Sequence, residues 1–336
     1  MKVSELGQFG LIDTVAKMIE DARDNQAYSW RNLLTGVGDD CAVWRGDASN
    51  QLAKVDCQVQ GVHFSLDIIS WEDLGWKSLA VNLSDIASMG GIPRYALVSL
   101  GLPRETEVED VVSLYKGILN LAGLTGTAVT GGNISGSPVI YIDINVIGVT
   151  GNPEGKYLSR FYAKPGDKIA VTGWLGTAAA GLNILKHQLE VEESISACLK
   201  KAFVHPEPRL TEGRLLVEKG IQTGMDISDG LVSDLGHICQ SSGVGAVIEL
   251  ARIPIRPEVT VVFGEKSYQM ALSGGEDYQL LFTGRPEVIE RVRVASDYPA
   301  TVIGEITAEN SGEVTILDTE GRSFQPETAG WDHFKK

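Results

Sequence analysis

The order of strand-like and helix-like hydrophobic patterns constrains the fold of this chain most strongly. Residues 7–23 have the apolar spacing of an amphipathic helix, residues 53–60 alternate between apolar and polar side chains, and further segments of both kinds follow in mixed order. The pattern restarts after residue 167, with a strand at 169–172 and then an Ala-rich helix. At 336 residues the chain exceeds the usual size of one hydrophobic core. We therefore predict an α+β protein of two domains, residues 1–155 and 156–336.

The net charge, the N-terminus and the cysteine spacing indicate which partners and which cellular compartment to expect. A net charge of −15 repels nucleic-acid phosphates and anionic membranes, so neither DNA, RNA nor a membrane surface is an expected partner. The N-terminus has no apolar signal-peptide core, and no segment reaches the roughly 18 apolar residues of a membrane span, which predicts a cytoplasmic protein. The four cysteines form no CxxC pair, which argues against a zinc site and a disulfide framework.

Two predicted elements carry polar groups in apolar surroundings. The alternation at 53–60 predicts a half-buried strand with Val55 on its apolar face and Lys54 and Asp56 on its polar face. A capping-box pattern that begins at Ser70 and a glycine pair at 90–91 predict a helix between them. A polar stripe follows this mostly apolar helix at Ser78, Asn82 and Asp85. Polar groups on a buried helix face need hydrogen-bonding partners.

Several aspartates lie in glycine-rich or apolar segments, where a charge is costly to bury without a cation or hydrogen-bond donors. They are Asp39 and Asp40 in GVGDD, Asp56, Asp85, and Asp226 with Asp229 in MDISDG. Mg²⁺ prefers hard oxygen ligands and is normally shared with substrate phosphates. A helix N-cap or turn role explains any one of these aspartates equally well, and Asp229, just ahead of a predicted helix, fits that alternative best. Together they predict a shared magnesium site.

Three glycine-rich segments favour phosphate binding. They are GVGDD, TGGN at 130–133 and SGGED at 273–277, and each can present backbone N–H groups to phosphate oxygens, although each alone could be a simple turn. The chain has neither a Walker A loop nor a GxGxxG that opens a helix after a strand. We therefore expect phosphate binding outside the two commonest nucleotide-binding folds.

The same segments, in the same order, resemble one family. GVGDD, GVHF, KSLAVNLSDIASMGGIP, GGN, AKPGD, MDISDGLVSDLGHI, ALSGGEDYQLLF and the terminal GWDHF are similar to those of the thiamine-monophosphate kinases along nearly the whole chain. Variants of single segments also occur in the wider superfamily that includes aminoimidazole ribonucleotide synthetase and selenophosphate synthetase. The combination is therefore far more specific than any one segment.

The resemblance implies both a fold and a reaction. The implied fold is the two-domain aminoimidazole ribonucleotide synthetase-like one, with an N-terminal ferredoxin-like sheet domain that pairs in a homodimer and a C-terminal α/β domain. The implied reaction is transfer of the γ-phosphoryl group of ATP to thiamine monophosphate, with Mg²⁺, to give thiamine diphosphate. The acceptor is already an anion, so no general base and no catalytic side chain is implied, and catalysis rests on positioning and charge neutralisation.

The resemblance also implies roles for individual residues. The implied metal ligands are Asp40, Asp56, Asp85, Asn133, Asp226 and Asp229. The implied ATP contacts are Gly132, Asn133, Arg160 and Ser228. The implied substrate contacts are His63, Glu276 and Trp331. Without the resemblance, a core-capping histidine, a turn carboxylate and a buried aromatic residue are the simpler interpretations of the last three.

Two departures from the family pattern concern the metal site. The chain has Lys54-Val55-Asp56 where the family usually has Ser/Thr-Thr-Asp, and Asn133 where it usually has Asp. Val55 removes a hydroxyl and Asn133 removes a negative charge, while Lys54 adds a positive charge that could partly replace an ion. We therefore expect fewer metal ions or a weaker affinity for Mg²⁺.

Two other functions are also compatible with the sequence. One is another enzyme of the superfamily that acts on a different phosphorylated substrate, which Glu276 and Trp331 argue against. The other is a nucleotide-binding paralogue that has lost turnover through the changes at Lys54, Val55 and Asn133.

Overall fold

The computed structural model describes residues 1–37, 42–46, 48–328 and 330. The chain divides into two compact units, one of residues 1–86 and 92–155 and the other of residues 87–91 and 156–336. None of the described helices is both long enough and apolar enough to cross a membrane.

The N-terminal unit contains a four-stranded sheet and helices. Its helices are α1 (Val3–Asp21), α2 (Tyr28–Asn32), α3 (Trp71–Ser88) and α4 (Val108–Thr125). Its strands are β1 (Leu33–Thr35), β2 (Val43–Trp44), β3 (Gln51–Val59), β4 (Gly91–Leu102), β5 (Ala128–Gly136) and β6 (Tyr141–Thr150). The sheet has the order β3-β6-β4-β5, so β3 and β5 form its two edges, and β1 pairs with β2 separately. Strand β5 pairs in parallel with β4.

Strand β3 has the predicted alternation, but the covered face is the opposite of the one expected. Val55, assigned to the apolar face, is 52% exposed, whereas Gln58 on the polar face is buried. Lys54 on that polar face forms an ion pair with Asp85 of α3. The polar face of β3 is therefore directed toward the polar stripe of the helix, which leaves the apolar face uncovered.

Helix α3 begins as the sequence predicts, and the donors of Ser78 and Asn82 find partners, whereas the buried Asn82 Oδ1 has none among the described residues. The Asp73 N–H donates to Ser70 Oγ at 3.1 Å, and Ser70 Oγ donates to Asp73 Oδ2 at 2.6 Å. Further along, Ser78 Oγ donates to the Leu74 carbonyl and Asn82 Nδ2 donates to the Ser78 carbonyl. The buried hydroxyl and amide thus find acceptors within their own helix, which offsets the cost of their burial.

The C-terminal unit is built on a seven-stranded sheet of order β13-β12-β9-β11-β7-β10-β8. Its strands are β7 (Lys168–Thr172), β8 (Thr223–Asp226), β9 (Gly245–Glu249), β10 (Leu280–Gly284), β11 (Ala300–Thr307), β12 (Val314–Leu317) and β13 (Ser323–Phe324). Its helices are α5 (Thr177–His187), α6 (Glu193–Val204), α7 (Leu210–Lys219), α8 (Leu231–Ser242), α9 (Pro257–Phe263), α10 (Lys266–Ser273) and α11 (Pro286–Ala295), with a 3-10 turn at Leu250–Arg252.

Both faces of the seven-stranded sheet are buried. Successive residues of β7 belong to different apolar cores, Val171 to one that includes α8 and Ala170 to one that includes α7 and α11. This follows from the strand geometry, since neighbouring side chains point to opposite faces. The end of the sheet where β7 and β8 finish and β10 begins carries the loops 173–176, 227–230 and 274–279.

Candidate active site

A cationic side chain lies between two candidate metal ligands in the N-terminal unit. Lys54 Nζ is 3.1 Å from Asp85 Oδ2 and 3.8 Å from Asp56 Oδ2. The three side chains are 25–45% exposed, so water and dissolved ions reach them. An ammonium held by two carboxylates occupies the kind of position that a metal ion takes in an oxygen-ligand site. This arrangement supports the sequence-based idea that Lys54 partly replaces an ion.

The donor set suits Mg²⁺ if substrate phosphates complete it. Asp56 and Asp85 are hard oxygen donors that already share a cation, and Mg²⁺ usually takes one or two carboxylates, with water and phosphate oxygens as its other ligands. Within the described ranges, no three His, Cys, Asp or Glu side chains are close enough together to hold a metal ion by themselves. Asp39 and Asp40 lie outside the described residues.

Gly132 and Asn133 lie on the other edge of the sheet. A Cβ at Gly132 would be 1.8 Å from the Val98 carbonyl oxygen, so only glycine fits beside β4 there. Asn133 is exposed on β5, while Asp56 is on β3. Three strand spacings separate these edges, which amounts to roughly 14 Å. A single N-terminal unit therefore does not bring Asn133 and Asp56 into one metal shell.

His63 lies in the turn that follows β3. Its Nδ1 accepts a hydrogen bond from the Val59 N–H at 3.0 Å. This bond requires Nδ1 to be unprotonated, so a neutral His63 carries its proton on Nε2. The local contact explains how the ring is oriented and leaves the implied substrate role as a prediction.

A buried carboxylate organises the loop after β8 in the C-terminal unit. The N–H groups of Ser228, Asp229 and Gly230 all donate to Asp234 Oδ2, at 3.0, 3.2 and 3.1 Å. Asp234 is 1% exposed, and its Oδ1 has no partner among the described residues. Burial, together with the nearby charges of Asp226 and Asp229, raises the pKa of Asp234 to about 8. Asp234 thus fixes the loop that carries two of the sequence-predicted positions, Ser228 and Asp229.

The N-cap role considered for Asp229 is wrong. The residue before α8 is Gly230, which has no side chain to cap the helix, and the loop amides are satisfied from within the helix by Asp234. Asp234 is not among the residues predicted from the sequence. The available signal was its position on the apolar stripe of α8, one residue before Leu235 and four before Ile238, where an acidic residue is unexpected.

The 274–279 segment places Glu276 beside Ser228. The Glu276 N–H donates to the Ser228 carbonyl at 2.8 Å, and the Tyr278 N–H donates to the Ile227 carbonyl at 2.9 Å. Glu276 has a φ of 58°, a left-handed conformation that is costly for a residue other than glycine. The structure therefore brings together one implied ATP contact and one implied substrate contact.

Asp277 lies against a different element. Its carboxylate accepts from the Gly176 N–H at 2.6 Å and the Ala178 N–H at 3.0 Å at the start of α5. Burial is the main cause that raises the pKa of Asp277 to about 7. Its role is to hold the 173–176 loop and the α5 N-terminus, so neighbouring acids of SGGED have separate functions.

Arg160 is positioned through its backbone. The Ser242 hydroxyl donates to the Arg160 carbonyl at 2.7 Å, and the preceding Ser159 bridges to Thr223, where β8 begins. The side chain is exposed and has no ion pair within the part of the chain that the structure describes. Trp331 lies outside the described residues.

Two family models of one protein class together match most of the chain. The model described as AIR synthase related protein, N-terminal domain, matches residues 38–150, and its C-terminal counterpart matches residues 164–317. The fold and these matches define an AIR synthase related protein.

Comparison with individual proteins identifies the family within this class. The thiamine-monophosphate kinase of Aquifex aeolicus is 35% identical over 99% of this chain and 100% of its own length. The crystal structure of thiamine-monophosphate kinase from Stenotrophomonas maltophilia is 30% identical, with a TM-score of 0.80 over 94% of this chain and 96% of that one. The structure of AaThiL complexed with AMPPCP and TMP is 34% identical, with a TM-score of 0.76 over 99% of both chains. This chain therefore belongs to the thiamine-monophosphate kinase family, which confirms the resemblance and the two-domain α+β fold.

Proposed function

We propose that this chain is a thiamine-phosphate kinase that uses ATP to convert thiamine monophosphate to thiamine diphosphate. The observation that carries the proposal is 35% identity to a thiamine-monophosphate kinase over the full length of both chains. The solved relative complexed with AMPPCP and TMP, at 34% identity, supports the same pair of substrates. We also propose that the protein is cytoplasmic.

The chemistry requires positioning more than proton transfer. A terminal phosphate oxygen of thiamine monophosphate attacks the γ-phosphorus of ATP, the new P–O bond forms, the bond to the β–γ bridging oxygen breaks, and ADP leaves. A phosphate monoester loses its second proton with a pKa of about 6, so the nucleophile is already anionic at neutral pH. The protein must therefore align the two phosphates and offset their charge.

Each unit supplies a set of residues for this task. In the N-terminal unit we assign metal ligation to Asp40, Asp56, Asp85 and Asn133, ATP contact to Gly132 and Asn133, and substrate contact to His63. In the C-terminal unit we assign metal ligation to Asp226 and Asp229, ATP contact to Arg160 and Ser228, and substrate contact to Glu276 and Trp331. Mg²⁺ held by these aspartates would offset the negative charge of the phosphates.

Lys54 supplies part of the positive charge itself. Its ammonium already lies within 4 Å of both Asp56 and Asp85, so a divalent ion there is repelled by a neighbouring cation. The enzyme then requires more Mg²⁺ for half-maximal rate than a relative with a neutral residue at this position. The same geometry favours one alternative, a nucleotide-binding protein that has lost turnover.

We propose that the enzyme is a homodimer formed through the N-terminal sheet. Strands β3 and β5 are open edges, and Val55 exposes 52% of its surface on a face where the sequence predicts burial. An exposed apolar sheet face beside open edges is a typical association surface. Within one copy, the width of the sheet keeps Asn133 roughly 14 Å from Asp56. The Asn133 of a second copy would not be subject to this separation.

Release of ADP by purified protein with ATP, Mg²⁺ and individual phosphorylated substrates tests the proposal. Turnover with thiamine monophosphate and not with other phosphate monoesters supports it. Turnover only with a different substrate identifies another enzyme of the superfamily, and ATP binding without turnover identifies a nucleotide-binding paralogue; either outcome overturns the proposal.

A further inference from the structure

A polar cavity lies at the end of the seven-stranded sheet that carries the loops 173–176 and 274–279. It has a volume of about 300 Å³ and is lined by Trp174, Arg209, Arg256, Lys201, Tyr298 and Asp277, among others. This is the lower end of the range for small-molecule sites. None of the residues assigned above to ATP, metal or substrate lines it.

Two arginines are held in place by aromatic rings. The Arg209 guanidinium lies 3.9 Å from the centroid of the Tyr298 ring, and that of Arg256 lies 4.1 Å from the centroid of the Trp174 ring. The two rings contact each other edge to face at 6.1 Å. Stacking orients each guanidinium plane before any ligand arrives, so little side-chain entropy is lost when its N–H edge binds an oxyanion.

The floor of the cavity is also fixed by hydrogen bonds. Gln279 Oε1 accepts from Arg209 Nε at 3.1 Å and from Thr172 Oγ1 at 3.0 Å. Gly173, with a φ of 59°, passes so close that a Cβ there would be 2.5 Å from Gln279 Oε1. Arg209 is therefore anchored, and its remaining N–H groups have a defined direction.

The charges in the cavity are not balanced. Asp277 is engaged by the α5 amides, and Glu207 forms a 3.5 Å pair with Arg209. Neither Arg256 nor Lys201 has a carboxylate partner in the part of the chain that the structure describes. Two unpaired cations in one cavity of a chain with a net charge of −15 select for an anionic occupant.

A buried hydroxyl gives an independent indication. Thr177 lines the cavity and is 5% exposed, yet its Oγ1 has no hydrogen-bond partner among the described residues. A buried hydroxyl without a partner costs free energy, which a ligand oxygen can recover.

We propose that this cavity binds a small oxyanion, a phosphate or carboxylate group, through Arg256, Lys201, Arg209 and the Thr177 hydroxyl. The site is separate from the proposed active site and does not depend on the kinase activity. It is pre-organised, because its two arginines are oriented by Tyr298 and Trp174 without the ligand.

Calorimetric titration of the full chain with inorganic phosphate, and separately with acetate, tests the proposal. We expect saturable binding of at least one of the two anions, and Arg256→Gln should weaken it at least about tenfold, because a hydrogen bond between charged groups is lost. Preference for phosphate or for acetate identifies the ligand class. Arg252→Gln is the matched control, since Arg252 is exposed, is paired with Glu249 at 2.8 Å and does not line the cavity.

A second variant distinguishes a loss of anion binding from a loss of folding. Lys201 is exposed on α6, so Lys201→Gln should leave the unfolding temperature unchanged and still weaken anion binding. If neither anion binds saturably to the wild-type chain, or if Arg256→Gln and Lys201→Gln both bind as the wild type does, the cavity is not an oxyanion site.

Discussion

Replacing Lys54 by a neutral side chain should strengthen the binding of Mg²⁺. Lys54→Met keeps the length of the side chain and removes the ammonium that lies 3.1 Å from Asp85 and 3.8 Å from Asp56. The two carboxylates then lose their internal cation. Bound Mg²⁺ would then relieve the repulsion between the two carboxylates. It would also no longer be repelled by the Lys54 ammonium.

The size of the effect follows from Coulomb's law. Magnesium–oxygen distances are about 2.1 Å, so an ion on the same carboxylates would lie roughly 4 Å from Lys54 Nζ. With a charge product of two, the repulsion is about 2 kcal/mol in a water-like medium and several times larger at lower dielectric. The exposed fractions of 25–45% favour the lower figure. A difference of about 2 kcal/mol corresponds to roughly 30-fold tighter binding.

Calorimetric titration of Mg²⁺ measures this directly, without requiring turnover. Lys116→Met on α4 is the control, because Lys116 is exposed and has no ion pair in the described part of the chain. Stability should change by no more than about 1 kcal/mol, since ion pairs that are this exposed contribute little. Equal or weaker Mg²⁺ binding by Lys54→Met would refute the idea that Lys54 competes with a metal ion.

Three further predictions concern single residues. Asn133→Asp should lower the Mg²⁺ concentration for half-maximal ADP release, and no change would remove Asn133 from the metal shell. Asp234→Ala leaves three loop N–H groups without their acceptor and should lower the free energy of unfolding by about 3 kcal/mol, whereas Asp234→Asn keeps an oxygen and should lose less; equal losses in urea denaturation would contradict this. Asp277→Asn should flatten the pH dependence of stability between about pH 4 and 7, as urea denaturation at several pH values would show; an unchanged slope would contradict the pKa shift.

The sign of the Asp277 effect follows from proton linkage. The pKa of the carboxyl rises from 3.8 to about 7 on folding, so the folded chain holds this proton at pH values where the unfolded chain has lost it. Its favourable contribution is complete below about pH 4 and is lost as the pH rises through about 7. The change is at most about 4 kcal/mol. The asparagine variant cannot titrate and lacks this slope.

Local structure could be predicted where neighbouring residues determine it. The Ser70 capping box and the strand predicted at 169–172 depend on side chains a few positions apart, and both are present. The buried face of β3 could not be predicted, because it depends on which side of the strand is directed toward α3, whose Asp85 is 31 positions from Lys54. Hydrophobic spacing gives the period of a strand, while the identity of its covered face depends on tertiary contacts.

The candidate site was likewise predictable from the sequence only in part. The order of the segments was sufficient to predict the family, which full-length comparison confirms. The role of Asp234 and the separation of Asn133 from Asp56 by the width of a sheet depend on strand order and helix packing, which no short motif encodes. The assignments of individual ligands remain predictions for this reason.

Transfer of label from [γ-³²P]ATP tests the central claim most directly. Purified protein with Mg²⁺ and thiamine monophosphate should yield thiamine diphosphate that carries the label, in an amount equal to the ADP formed. Label that appears only as inorganic phosphate, or in no product, would contradict direct phosphoryl transfer to thiamine monophosphate by this chain.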